Sequence, residues 1–327
     1  MRAFDYVTPK TQPQAVSLLG KAWGETEIIA GGTDLLALMK DDVVTPKRLV
    51  NIKQLPGMHA VSNTRDGMSL GALATLDQLA EAADLQRNYP ALAEAINEAA
   101  SPQIRNMATL GGNLLQRTRC SYFQDVTKPC NKRAAGTGCP AREGEHHNLA
   151  ILGHSDACVA THPSDMAVAL AAIEATVHVH GRDGERTVPV PGLHRLPGDD
   201  PSRDTVLESG DLITAIELPA PGPWSQRTVY RKVRERASFS FALVSVAAAL
   251  DVEDGVVRDA RIALGGVAHV PWRAQRAEGA LRGAPATEES FAAAADAELA
   301  GAEPLRDNAY KVPLARNVIV RTLLELC

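Results

Sequence analysis

The segment 117–158 constrains the fold of this 327-residue chain more than any other feature. It is polar, shows neither helical nor strand periodicity, and holds four of the five cysteines: Cys120, Cys130, Cys139 and Cys158. A stretch of this length without regular structure is uncommon inside a compact domain, and it usually serves a function. The segment therefore predicts a bound metal centre.

The cysteine pattern alone leaves the kind of centre open. The spacings C-x9-C, C-x8-C and C-x18-C include no C-x2-4-C hairpin, which most zinc sites have. Disulfides would need an oxidising compartment, for which the sequence gives no indication. Four thiolates on a polar loop suit a cubane iron–sulfur cluster, and unligated or paired thiols are the alternative. Cys327, the last residue, stands apart from this set.

Composition and charge exclude several classes of function. The chain is 45% hydrophobic and 22% charged, as expected of a globular protein with a real core. Its formal net charge is −5 and no basic stripe is present, so we expect no nucleic-acid partner. No apolar run of eighteen residues and no N-terminal apolar signal core occur, so we expect no membrane insertion and a cytoplasmic location. A signal-bearing partner could instead carry the folded chain to the periplasm.

Two paired-glycine loops indicate a site for a phosphate-bearing ligand. The first lies in the run I-I-A-G-G-T-D-L at 28–35, after a predicted strand, and the second is T-L-G-G-N at 109–113. Glycines let the main chain approach a diphosphate, and successive N–H groups form an anion-binding nest. A Cβ at Gly32 or Gly112 is expected to close that nest. Each loop alone could be a plain turn, and the pattern G-x-G-x-x-G is absent, so the pair carries the prediction.

Five further polar residues have a structural interpretation, and two of them also have a possible functional one. Ser164 or Asp165 would cap the helix that follows, and the Asp165 carboxylate could also accept a hydrogen bond from a cofactor hydroxyl. Lys232 lies in a charged strand that is solvated by default, although its ammonium could face a ligand. His146 and His147 fall in the polar cysteine segment and are expected at the surface.

The order of predicted elements indicates an α+β fold. A short αβ unit ends near a Pro-Gly break, and a second unit of strands and helices runs to the linker P-A-P-G-P at 219–223. Alternating strands and then helices follow the linker. The predicted divisions are 1–56, 57–220 with the insertion at about 117–158, and 224–327.

Taken together, these segments resemble the FAD-binding medium subunits of the xanthine dehydrogenase and carbon monoxide dehydrogenase family. The resemblance covers nearly the whole chain, and each motif is modest while their order is specific. The motifs are A-G-G-T-D at 30–34, Q-I-R-N at 103–106 before T-L-G-G-N, S-D at 164–165, G-D-L-I-T at 210–214, Y-R-K at 230–232 and A-L-G-G-V-A at 263–268. The resemblance implies two FAD-gripping subdomains of the PCMH, or vanillyl-alcohol-oxidase-like, type. It also implies a C-terminal α+β domain of the CO dehydrogenase flavoprotein type.

The length of the insertion sets this chain apart from ordinary members of that family. Their S-D helix start follows closely after G-G-N, whereas here Asn113 and Asp165 are 52 positions apart (165 − 113). The insertion resembles that of the flavin subunits of periplasmic aldehyde oxidoreductases and, more distantly, of 4-hydroxybenzoyl-CoA reductases. This implies a [4Fe–4S] cluster held by Cys120, Cys130, Cys139 and Cys158.

The same resemblance implies the residues that bind FAD. They are Ile28, Ile29, Ala30, Gly31, Gly32, Thr33, Asp34, Leu35, Thr109, Gly112 and Asn113 at the diphosphate, Asp165 at the ribityl or ribose portion, and Ile213 and Lys232 near the ring system. No catalytic residue is implied, because the redox chemistry belongs to the cofactor.

The implied function is that of an electron-transfer subunit in a molybdenum-dependent aldehyde oxidoreductase. The implied partners are a large subunit with the molybdenum cofactor, a small [2Fe–2S] subunit and an external electron acceptor. Two alternatives are a stand-alone flavin oxidoreductase of the same fold and a non-redox nucleotide-binding module with a zinc-stabilised loop. The cysteine insertion and the C-terminal domain argue against the first.

Overall fold

The computed structural model describes all 327 residues, apart from the side chain of Gln226. Its first unit is a three-stranded parallel sheet with the strand order β1-β3-β2. The elements are β1 (Asp5–Val7), α1 (Gln12–Leu18), β2 (Thr26–Ile29), α2 (Leu35–Lys40) and β3 (Arg48–Asn51). The hydroxyl of Thr11 accepts from the main-chain N–H of Gln14 and so fixes the start of α1.

The second unit contains a five-stranded antiparallel sheet with the order β4-β5-β8-β6-β7. Its strands are β4 (Val61–Thr64), β5 (Gly67–Gly71), β6 (Thr176–Gly181), β7 (Gly184–Pro189) and β8 (Leu212–Pro219). The helices between β5 and β8 are α3 (Leu76–Glu81), α4 (Ala83–Asn88), α5 (Pro90–Glu98), α6 (Pro102–Arg105), α7 (Leu110–Leu114), α8 (Ser121–Gln124), α9 (Asp165–Ala172) and α10 (Val190–Leu193). The sequence T-L-D-Q at 75–78 predicts a capping box, and both of its hydrogen bonds are present.

The third unit is a four-stranded antiparallel sheet with the order β12-β11-β10-β9, followed by helices. Its elements are β9 (Thr228–Val233), β10 (Val244–Glu253), β11 (Val256–Gly265), β12 (Trp272–Arg273), α11 (Gln275–Leu281), α12 (Glu288–Leu299) and α13 (Lys311–Leu324). Each of the three sheets falls within one of the three segments that the sequence predicts. In the described part of the chain, none of the helices combines the length and the apolar character needed to cross a bilayer.

Helix α9 joins the second and third units. All eight of its residues are buried, and it packs against α5 on one side and against β10 and β11 on another. The main hydrophobic cluster accordingly runs from the first unit through α9 to Ala247, Ala249 and Ala263 of the third sheet. A helix that is apolar on every face is stable only when it is buried in this way.

The cysteine insertion is largely irregular, as the sequence predicts. The short helix α8 and one 3-10 turn at Pro140–Arg142 are its regular elements. Its end is bound to the third unit, because the N–H groups of Ile151 and Leu152 donate to the carbonyl of Val267. Their side chains lie in the hydrophobic cluster of that unit.

A buried lysine strengthens this connection. The Nζ of Lys311, at the start of α13, donates to the carbonyls of Asn148, Leu149 and Gly266 at 2.9, 3.1 and 2.7 Å. Burial lowers the pKa of Lys311 from 10.5 to about 7. The cause is the loss of water around the ammonium, which the carbonyls replace only in part.

The stability of the fold should therefore depend on pH through Lys311. Between about pH 7 and 10.5 the unfolded chain keeps this proton and the folded chain loses it, so the unfolded state binds more protons and stability rises with pH. The rise should be on the order of 3–5 kcal/mol. In denaturant titrations Lys311→Met should lack this contribution, while Lys21→Met, at an exposed lysine, should keep the wild-type slope. Equal pH slopes in wild type and Lys311→Met would contradict the assignment.

Candidate functional site

A cleft of about 1290 Å³ crosses the molecule where the three units meet. It is lined by the β2–α2 loop, the start of α7, the segment before α9, the loop before β8 and the β9–β10 loop. Of the fourteen residues predicted to bind FAD, all but Ile29 line this cleft. Ile29 instead packs in a separate hydrophobic cluster with Met39 and Leu49. Chain segments far apart in sequence therefore meet at one concave surface, as a ligand site requires.

The first glycine loop is set by a close contact between main chains. A Cβ on Gly31 would lie 1.8 Å from the carbonyl oxygen of Met107, which precedes the second glycine loop. Gly32 adopts φ +73°, a conformation that L side chains rarely adopt, and a Cβ there would touch the side chain of Leu36 at 3.0 Å. The prediction named Gly32 and Gly112 as the critical glycines, whereas the tightest contact in the two loops belongs to Gly31.

The second glycine loop begins α7. The Oγ1 of Thr109 caps this helix by accepting from the main-chain N–H of Gly112 at 3.3 Å. The Oδ1 of Asn113 accepts from the hydroxyl of Ser164 at 2.5 Å. That hydroxyl also accepts from the N–H of Ala167 and so caps α9. The predicted T-L-G-G-N and S-D motifs are therefore in direct contact.

Asp165 is buried beside two residues of β9. Its Oδ1 accepts from the Tyr230 hydroxyl at 2.6 Å and its Oδ2 from the Lys232 ammonium at 2.8 Å. Burial raises the pKa of the Asp165 carboxyl, and the charge of Lys232 opposes that rise. Lys232 also donates to the carbonyl of Glu98, and its side chain is 1% exposed. The default expectation of a solvated Lys232 was therefore wrong.

Ile213 lies on β8 with its side chain almost fully buried, and it borders the cleft. It pairs with Val179 of β6, so the sheet fixes its position. Ile213 therefore adds an apolar side chain to the wall of the cleft.

The four clustered cysteines come together. All of them line one small pocket, and each is a free thiol. The side-chain amide of Asn131 helps to bring them together. Its Oδ1 accepts from the N–H of Gly138, next to Cys139, and its Nδ2 donates to the carbonyl of Ala157, next to Cys158. Burial raises the pKa of Cys120 and Cys139, and it raises the pKa of Cys158 to about 12. Thiolates at this pocket therefore need a positively charged partner.

Within the described residues, no three His, Cys, Asp or Glu side chains are grouped closely enough to hold a single metal ion. Cysteine thiolates are the usual ligands of an iron–sulfur cluster, and four cysteine thiols line this one pocket, so the donor set fits such a cluster in its chemistry.

The cysteine pocket and the cleft share part of their walls. Phe123 and Lys132 border both. The insertion also reaches the first glycine loop, because Arg119 forms an ion pair with Asp34 at 2.5 Å and the N–H of Arg117 donates to the same carboxylate at 3.0 Å. None of these links was predicted, since pairs separated by more than eighty positions leave no local pattern.

The expectation that His146 lies at the surface is wrong. His146 is buried, its Nδ1 lies 3.0 Å from the carbonyl oxygen of Ala141, and its Nε2 accepts from the N–H of Asp307 at 3.0 Å. His147 is half exposed and lies beside Glu235, as expected of a surface residue. The polar surroundings of His146 in the sequence gave no sign that a distant loop covers it.

Comparison with known proteins identifies the family. Residues 2–221 match the family described as FAD binding domain in molybdopterin dehydrogenase. Residues 228–326 match the CO dehydrogenase flavoprotein C-terminal domain. The chain belongs to this family of FAD-binding subunits. As such it is an oxidoreductase subunit of the molybdenum hydroxylase type, and its predicted fold class and FAD binding are confirmed.

Relatives match this FAD-binding subunit over almost its whole length. The aldehyde oxidoreductase FAD-binding subunit PaoB of Escherichia coli K12 is 42% identical, covering 99% of this chain and 98% of PaoB. The carbon monoxide dehydrogenase medium chain of Hydrogenophaga pseudoflava is 28% identical, covering 98% and 96%. A solved carbon monoxide dehydrogenase from the same organism superposes with a TM-score of 0.77 at 27% identity, over 99% of this chain and 97% of that one.

Proposed function

We propose that this chain is the FAD- and [4Fe–4S]-containing electron-transfer subunit of a molybdenum-dependent aldehyde oxidoreductase. The observation that carries the proposal is the meeting of all four insertion cysteines at one pocket that shares Phe123 and Lys132 with the flavin cleft. The 42% identity to an aldehyde oxidoreductase subunit supports the substrate class. Its partners would be a large molybdenum subunit, a small [2Fe–2S] subunit and an external acceptor. It would be periplasmic if a signal-bearing partner exports it, and cytoplasmic otherwise.

The residues of the cleft have separate tasks in this proposal. The β2–α2 loop and the start of α7 would hold the FAD diphosphate, because Gly31 allows their main chains to approach each other. Lys232 and Asp165 neutralise each other at the buried end of β9 and present fixed hydrogen-bonding atoms to the cleft. The cofactors, when bound, would supply the redox chemistry: flavin exchanges electrons with an acceptor and the cluster relays single electrons.

The residues of the insertion position the two sites. Arg119 and Arg117 bind Asp34, so the cysteine segment and the flavin loop hold each other in place. Phe123 packs between the pocket and the cleft and keeps water out of the shared wall. Arg117 lies over the ring of Phe123 with 4.9 Å between the guanidinium carbon and the ring centroid. This cation–π contact fixes the orientation of that wall.

The proposal predicts that the chain oxidises no aldehyde on its own. Co-expression with its genomic neighbours should give a complex that contains molybdenum and reduces a dye with aldehyde. The isolated chain should show flavin bands and a broad iron–sulfur shoulder in its visible spectrum but no aldehyde-dependent dye reduction. Turnover of aldehyde by the isolated, molybdenum-free chain would overturn the proposal. Flavin bands without an iron–sulfur shoulder, together with metal analysis that finds zinc in place of iron, would overturn the cluster assignment.

A further inference from the structure

Lys132 lies between the cysteine pocket and the cleft. It follows Cys130 by two positions, lines both cavities, and its side chain is 1% exposed. Its Nζ donates to the carbonyl of Pro201 at 3.0 Å, to the Asp204 carboxylate, and to Nε2 of His269 at 2.7 Å. Pro201 and Asp204 lie in the loop before β8 and His269 lies after β11, and together they hold the ammonium in one place.

The charges around Lys132 do not cancel. Asp204 is shared between Lys132 and Arg117, whose Nε lies 2.5 Å from the other carboxylate oxygen. Burial alone would raise the pKa of Asp204, but the two cations hold it well below its ordinary value. Burial lowers the pKa of His269, which leaves its ring neutral and able to accept from the lysine. Asp204 therefore balances the charge of Lys132 only in part, because it is shared with Arg117, which also lies near Glu27.

Lys132 also borders the pocket of the four thiols. Its side chain is 1% exposed and lines the same pocket as all four insertion cysteines. A fixed cation in a poorly hydrated interior favours any added negative charge nearby much more strongly than a cation in water does. Nearby charge and hydrogen bonding are also among the features by which a protein sets the reduction potential of an iron–sulfur cluster.

We infer that Lys132 is a positioning residue for electron transfer: its buried ammonium compensates the thiolates of the four-cysteine site and raises the reduction potential of the cluster they hold. The inference rests on the proposed function, because it needs the cluster to be present. Asp204, which pairs with Lys132, limits this rise in potential. An electron that enters the cluster adds one negative charge, and Lys132 stabilises that reduced form.

The test is a redox titration of the purified complex, with the cluster followed by electron paramagnetic resonance. Lys132→Met should keep its iron and shift the midpoint potential of this cluster to a more negative value, while Lys132→Arg should stay close to wild type. Asp204→Asn should shift the potential in the opposite direction, because Lys132 and Arg117 then lose their shared counter-charge. Lys128→Met removes an exposed cation from the same segment and should leave the potential unchanged.

Absence of the cluster and absence of an effect of Lys132 on the cluster give different results. Wild-type complex without iron in this chain would refute the cluster itself. An iron-loaded Lys132→Met complex with the wild-type potential would overturn the role of Lys132 alone. If Lys132→Met loses iron while Lys132→Arg retains it and both keep FAD, compensation of the thiolates by charge is supported. Loss of iron from both variants would show that the lysine serves only the local packing.

Discussion

Cys139→Ser should leave the chain folded and bound to FAD but with only a small fraction of its iron. Cys139 lines the pocket with the other three insertion cysteines, and a serine hydroxyl is a far poorer ligand for iron than a thiolate. Removing one of four ligands at a buried site opens the cluster to water and to loss of iron. The same result is expected for Cys120, Cys130 and Cys158.

The matched control is Cys327→Ser, which changes an exposed cysteine at the last residue. Iron per chain, measured together with flavin per chain, should be unchanged in this variant. Full iron content in Cys139→Ser would contradict the ligand assignment. Loss of iron from Cys327→Ser would show that iron content follows general damage to the protein and not the loss of a ligand.

Gly31→Ala should weaken FAD binding at least tenfold, which corresponds to about 1.4 kcal/mol. The added Cβ would meet the Met107 carbonyl oxygen at 1.8 Å, so one of the two main chains must move. That movement separates the β2–α2 loop from the loop that begins α7, and N–H groups on the two sides then no longer converge on one diphosphate. Iron should remain bound, because the cysteine pocket does not include this contact.

The matched control is Gly279→Ala, at a helical glycine of α11 where a Cβ would meet no atom within 4 Å. FAD affinity should be unchanged there, and stability should rise by up to about 1 kcal/mol because alanine favours the helix. Titration of apoprotein with FAD gives both affinities. Wild-type affinity in Gly31→Ala would mean that the loop is only a turn. Gly32→Ala, strained by its positive φ, provides a second variant if Gly31→Ala does not fold.

Local patterns in the sequence predicted the elements that depend on local interactions. Helix α9 begins where the sequence predicts its cap, because the Ser164 hydroxyl accepts from the N–H of Ala167. The capping box at Thr75 is another such case. By contrast, strands β4 and β7 were not predicted. Both are mostly exposed edge strands, whose place in the sheet depends on the neighbouring strand and not on their own hydrophobicity.

The residues of the candidate site also fall into those with a local sequence pattern and those that depend on distant contacts. The glycine loops and the cysteine set could be predicted because special backbone geometry and metal binding demand particular residue types. The ion pairs Arg119–Asp34 and Lys132–Asp204 could not, because an arginine or lysine in a polar segment has many possible partners. The same reason explains Lys311 and His146, whose burial is created by segments more than 160 positions away.

The way the insertion is anchored affects how this subunit could lose its cysteine segment. Ile151 and Leu152 contribute to the hydrophobic cluster of the third unit, the N–H of Glu303 donates to the carbonyl of Ile151, and Arg119 binds the loop after β2. Excision of the segment would thus leave a hole in one domain and an unpaired carboxylate in another. A variant without the segment would need compensating substitutions both in the third unit and in the loop after β2. The segment therefore supports the packing of two units in addition to its proposed role of holding a cluster.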